Sequence, residues 1–238
     1  WNVYSDPPWA SQYLHDTNLQ MAYAPAFCTN MPELFECYIG YFNAYVRQRL
    51  YATEYIEQFN PSQLDPNGDN GWSGPFWTNP YNVPGRSIVA GFGTGSWIAQ
   101  MFWDYYDYTR DEALLADKVY PVMYDQANFV SRFVKDVDGA LLANPSSSPE
   151  QKHRDTVGTT FDQQMFYENH HNTLTAAKIL GRSDSRLATF KTQLRGWTRS
   201  RSASPGTSRS FVRNSTTARS ATPPTGTIQC CSGCTRAN

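Results

Sequence analysis

One carboxylate stands out by its position. Glu150 closes the stretch Leu142-Ala-Asn-Pro-Ser-Ser-Ser-Pro-Glu150, in which three serines lie between two prolines. Pro149 has no N–H and pushes Ser148 out of the α region, so no helix continues through it. The stretch reads as a loop between a helical run ending near Val137 and another opening near Thr160. Catalytic groups tend to sit on such connections, because a rigid scaffold presents them. The alternative is a solvated loop with an incidental acid. A second polar cluster, His15-Asp-Thr-Asn-Leu-Gln-Met21, is dense in hydrogen-bonding groups where a helix begins. Asp16 and Asn18 are either simple N-caps there or the lining of a polar pocket. Asp162 reads as a cap-region acid, and His170 and His171 as surface or packing imidazoles. No arrangement of His, Cys and carboxylates suits a metal, and no cofactor is expected.

Helices must position these groups. From Thr17 a short pattern with Leu19, Met21 and Tyr23 runs until Pro25 interrupts it. Asn30 is a suitable cap for the next segment, and Leu34, Phe35, Tyr38, Ile39, Phe42, Tyr45, Val46 and Leu50 then recur as one face of a long helix. Residues 60–86 hold too many prolines and glycines for any helix. The Trp72, Phe76, Trp77 and Tyr81 rings in this segment argue against disorder; they either stack on a sugar or pin a structural loop. Helical spacing returns over Trp97–Tyr105, and Thr109 to Glu112 reads as a capping box. Pro121 fits the first turn of a helix reaching Val134. Thr160 to Gln163 has capping-box form and opens a run that stops at Gly181. Strand-like alternation is absent from residues 1–194, so the expected class is all-α, built from helical hairpins.

The 238 residues suffice for one large domain or two small ones. Aromatic content is 15% and mean hydropathy −0.58. Rings with polar handles in a hydrophilic chain suit a carbohydrate-facing or a large helical enzyme better than a disordered protein. No run of about 18 apolar residues exists to span a membrane, and neither membrane nor nucleic acid is an expected partner. The net charge of −1 hides a division, because seven arginines and no acid occupy residues 195–238. Subtracting those seven from 20 basic residues leaves 13 against 21 acids, about −8 for residues 1–194. The chain begins with Trp1 and shows no signal segment, so the expectation is a piece of a longer, secreted or periplasmic enzyme.

Taken together, His15-x-Thr-Asn18-Leu-Gln-Met-x-Tyr-x-Pro25, Gly95-Ser-Trp97, Tyr105 to Asp111, Tyr120-Pro-Val-Met123 and Pro145-Ser-Ser-Ser-Pro-Glu150 resemble family 95 of the glycoside hydrolases, from about Trp9 to Gly181. That family comprises inverting α-L-fucosidases and related α-L-galactosidases. The resemblance implies an (α/α)6 toroid, incomplete here, with Glu150 similar to the general acid. Asn18 matches one of two asparagines that position the attacking water. Asp16 occupies the place of the other and departs from the commoner Asn. His15, Trp72, Trp77 and Trp97 are the candidate substrate contacts, and the implied partner is an oligosaccharide. Alternatives are another (α/α)6 enzyme, such as a rhamnosidase or disaccharide phosphorylase, or a non-catalytic carbohydrate-binding domain.

The family's usual base lies further C-terminal, in a stretch not found here. Residues 195–238 are instead rich in Ser, Thr, Arg and Pro, a disordered composition. Moving the reading frame by one base turns Trp197–Ser202 into Leu-Asp-Pro-Leu-Gln-Ile, and Ser215–Asn238 likewise yields family-like His-Arg-His and Leu-Tyr-Pro-Gly. The expectation is therefore a partial catalytic domain over 1–194, inactive by itself, and an out-of-frame tail over 195–238. Cys230, Cys231 and Cys234 are accidental under that reading.

Overall fold

The computed structural model describes residues 12–43, 47–78, 92–149 and 156–202. Its elements in chain order are β1 (Tyr13–Leu14), α1 (Asn18–Cys28), a 3-10 turn (Pro32–Phe35), α2 (Glu36–Asn43), α3 (Arg47–Phe59) and a second 3-10 turn (Pro61–Gln63). There follow β2 (Trp77–Thr78), α4 (Thr94–Thr109), α5 (Glu112–Leu114), a π turn (Leu115–Val119) and α6 (Tyr120–Phe133). The hairpin strands β3 (Lys135–Val137) and β4 (Ala140–Leu142), then α7 (Thr160–Ile179) and α8 (Ser185–Ser202), complete the series. The fold is all-α, as the periodicity predicts.

Helices α4, α6 and α7 pack on one another at the centre. Their shared interior is aromatic: Phe102, Phe129, Phe133 and Phe166 are fully buried. Of the stripe beginning at Leu34, Tyr45 and Val46 lie outside the described residues. Phe35, Tyr38, Ile39 and Phe42 join the cluster around α1 and α4, whereas Ala52 and Ile56 of α3 join the one around α6 and α7. Leu34 and Leu50 are exposed. Helix α1 also differs from expectation, since it runs through Pro25 to Cys28. The ring falls in the last turn, where the Thr29 N–H and hydroxyl both donate to the Pro25 carbonyl.

Two short antiparallel ladders accompany the helices. Tyr13 pairs with Thr78 and Leu14 with Trp77. The second ladder is a hairpin turned by Asp138 and Gly139, both at positive φ (53° and 80°). Asp-Gly is the sequence signal for such a two-residue turn, because both positions need left-handed backbone. That signal marks a hairpin that alternation does not reveal.

Neither expected capping box forms. Asp111 caps α5 directly, accepting from the N–H groups of Ala113 at 2.9 Å and Leu114 at 3.0 Å. Gln163 reaches away from its helix, its Oε1 accepting from Ala143 N–H at 2.9 Å and its Nε2 donating to the Leu141 carbonyl at 3.0 Å. It thus fixes β4, which leads into the Pro-Ser loop. Helix α8 continues beyond residue 194, with Trp197 buried, while residues 203–238 lie outside the described residues.

Candidate active site

At the start of α1 the N-cap is Thr17, with φ 63° and no side-chain capping bond. A β-branched residue at positive φ is held there against its preference, a form of strain that clusters at functional sites. Asp16 and Asn18 flank it; Asp16 is half-buried and Asn18 exposed. His15 lies beneath them, fully buried. Its Nδ1 bonds the Pro75 carbonyl at 2.7 Å and its Nε2 the Tyr41 hydroxyl at 3.0 Å. Burial pushes its pKa down from 6.5 to about 4, so the ring is neutral at pH 7. The His15 backbone N–H also donates to the Phe76 carbonyl at 2.8 Å.

Residues 71–76 carry that link inward. Trp72 is buried in the core and its indole N–H donates to the Val122 carbonyl at 2.8 Å. Gly74 lies directly on α4: a Cβ there would stand 3.0 Å from Gly95 Cα and 2.7 Å from Ile98 Cδ1. The N-terminus of α4 meets α7 in turn, since Gly93 N–H donates to Asp162 Oδ1 at 2.7 Å.

Asp162 is fully buried. Its Oδ2 accepts from the Ser146 hydroxyl at 2.7 Å and the Ser147 N–H at 3.3 Å. The Phe92 N–H is a further donor to the carboxyl. Burial raises its pKa from 3.8 to about 7, and the hydrogen bonds from Ser146, Gly93, Ser147 and Phe92 oppose that rise. Ser146 also pairs with Thr156 in an antiparallel bridge, N to O at 2.7 and 3.2 Å. The Thr159 N–H donates to the Ser146 hydroxyl oxygen at 2.9 Å, and the Thr159 hydroxyl to the Ser147 carbonyl at 3.2 Å. The Pro-Ser loop is thereby tied at its base to α7 and to the start of α4. Glu150 itself lies outside the described residues.

Among the candidate contacts, His15 and Trp72 are placed as supports, with their rings in the interior rather than open to a ligand. Trp77 in β2 and Trp97 in α4 are half-buried. The Trp97 ring meets Phe161 edge-on at 5.8 Å, beside Asp162. Hydrogen bonds and close backbone contacts therefore connect the polar cluster to the loop base through 71–76 and the N-termini of α4 and α7. His170 is a packing residue: it is fully buried against Phe190 and Trp197, and its Nε2 bonds Gln193 Oε1 at 2.9 Å.

Asp162 is buried rather than a simple cap-region acid. The buried stripe of α7 includes Phe166, Asn169, Thr173, Ala176 and Ala177, and position 162 falls on it one turn before Phe166. An acid in the register of a core stripe is the signal that finds it.

Residues 1–213 match the glycosyl hydrolase family 95 catalytic domain. This chain belongs to that family. The match extends past residue 194, further than the motifs alone reach. The family 95 chain is 27% identical over 201 residues to α-L-fucosidase 2 of Arabidopsis thaliana, covering 79% of this chain and 23% of that protein. It is 28% identical over 186 residues to a probable α-fucosidase A of Aspergillus niger, covering 71% and 22%. The family 95 chain thus spans about a quarter of the length of these curated relatives. No helix among the described residues is long and apolar enough to cross a membrane.

Proposed function

We propose that this sequence supplies the acid side of an inverting α-glycosidase centre that acts on terminal α-L-fucosyl or closely related α-linked sugars. Glu150 is the general acid, protonating the leaving glycosidic oxygen. Asn18 orients the attacking water, and Asp16 assists it by hydrogen bonding or as a partial base. An inverting centre keeps its acid and base roughly 6.5–9.5 Å apart so that water fits between them. Trp77 and Trp97 offer ring area to the sugar, and His15 and Trp72 hold the surface beneath it.

One observation carries the reading: the base of the loop leading to Glu150 is bonded into the same framework that carries the strained turn at Asp16–Asn18. The choice of an α-fucoside follows the names of both relatives, and the L configuration that of the Arabidopsis thaliana protein.

The test is Glu150→Gln in the protein that carries this sequence, assayed on aryl α-L-fucosides, α-L-galactosides and α-L-rhamnosides. Loss of the acid is expected to lower kcat by about 10²–10⁴-fold with sugar binding retained, and the first product resolved by NMR is expected to be the inverted anomer. Unchanged hydrolysis by the variant, or a retained anomer from the wild type, would overturn the proposal.

A further inference from the structure

Asp162 is costly as a stability device. A buried carboxyl gives up its hydration, and an apolar side chain of similar volume is often as good or better for stability. What distinguishes Asp162 is the set of groups it joins. Its two oxygens collect donors from the N-terminal turn before α4 and from two consecutive residues of the Pro-Ser loop. The site lies at the positive end of α4, which favours a negative charge. Every donor is a hydroxyl or a backbone N–H, and an ionised carboxylate is the side chain that accepts from all of them at once. An amide has one acceptor oxygen and turns an NH₂ group towards the remaining donors.

We infer that Asp162 is a positioning residue for the proposed proton donor: it clamps Ser146 and Ser147 to the start of α4 and so fixes where the chain leading to Glu150 departs from the scaffold. The inference rests on the reading of Glu150 as general acid. It gives Asp162 no contact with substrate, in keeping with its complete burial. Its effect on turnover is carried by Ser146, whose hydroxyl joins Asp162 and Thr159 and whose backbone pairs with Thr156.

The leaving group provides a readout that a purely structural role would not move. An alkyl α-L-fucoside needs protonation of its departing oxygen, whereas α-L-fucosyl fluoride departs with little acid assistance. In the protein that carries this sequence, Asp162→Asn is expected to lower kcat on the alkyl fucoside by about 100-fold, within the usual contribution of a general acid. The same variant should lose less than about 10-fold on the fluoride, with KM little changed on either. Ser146→Ala removes one donor and should show the same bias at about 5–10-fold, the equivalent of one hydrogen bond. It carries the test if Asp162→Asn fails to fold. Equal losses on both substrates in a folded variant would overturn the inference. Glu150→Gln measured alongside separates the two claims. Without the leaving-group bias in that variant the acid reading itself fails; with the bias there but not in Asp162→Asn or Ser146→Ala, only the positioning role fails.

Discussion

His15 and His170 are sealed inside the protein, and their protonation governs how it responds to acid. Burial lowers both from 6.5 to about 4. Between those values the unfolded chain binds protons that the folded chain refuses, so their contribution to stability is lost as pH falls from about 6.5 towards 4. Asp162 acts in the opposite sense. Burial raises its carboxyl from 3.8 to about 7 against the four hydrogen bonds that favour the ionised form, so its contribution falls as pH rises from about 4 to 7 and the ionised clamp prevails from about pH 7 upwards. His170→Gln is therefore expected to flatten the acid limb of stability against pH. The slope should fall by up to about 1.4 kcal/mol per pH unit, one proton's worth. Urea unfolding of wild type and variant at intervals from pH 4 to 7 checks this. Parallel curves would mean that His170 is protonated alike in both states.

Among the elements, the irregular segment 71–76 does as much positioning as any helix. Gly71 has φ +71°, and a Cβ there would lie 2.1 Å from the Asp125 carbonyl oxygen and 2.6 Å from the Phe129 nitrogen, both backbone atoms of α6. A helix backbone cannot yield as a side-chain tip does. Gly71→Ala is expected to destabilise by about 3 kcal/mol or more. Gly68→Ala, at φ +82° with open space around it, should meet only the left-handed backbone penalty of about 1–2 kcal/mol. Similar unfolding midpoints for the two variants would show that the segment does not lie flush on α6. The contrast also explains what the sequence can reveal. Helices α4, α6 and α7 are legible because their core faces repeat over several turns. The breakers correctly exclude helix from the 71–76 segment, but its path depends on tertiary contacts of Trp72, Gly71 and Gly74 that no local pattern encodes. Side chains with tertiary partners mislead in the same way. Thr160 and Gln163 have the spacing of a capping box, yet Gln163 is drawn to β4 instead. At the site, the order of His15, Asn18 and the Pro-Ser motif is legible through family resemblance. The clamp at Asp162 is not, because burial belongs to the assembled fold.

At the scale of the molecule, α8 closes the helical core where composition suggests that order should end. Acids cease after Asp184, and the chain becomes basic and Ser-rich from about residue 195. The helix nevertheless continues, with Leu187, Phe190 and Trp197 buried in a row on one side. Phe190 packs on Ala127 of α6 and Ala177 of α7. Trp197 enters the cluster formed by Phe133, Ala143 and Phe166, with its ring 5.0 Å from that of His170. Ala143 is also where Gln163 and Gly158 hold the entry to the Pro-Ser loop, so the far turns of α8 back the same wall that supports the candidate site. Trp197→Ala empties an indole's volume there and is expected to lower stability by about 3–5 kcal/mol. Trp197→Phe should be much milder, since the indole N–H has no hydrogen-bond partner among the described residues and a phenyl ring keeps much of the packing. Chemical denaturation of the three proteins decides it. A Trp197→Ala midpoint within about 0.5 kcal/mol of wild type, the range of an exposed substitution, would mean that α8 is unanchored beyond Leu194 and that the loop wall stands without it.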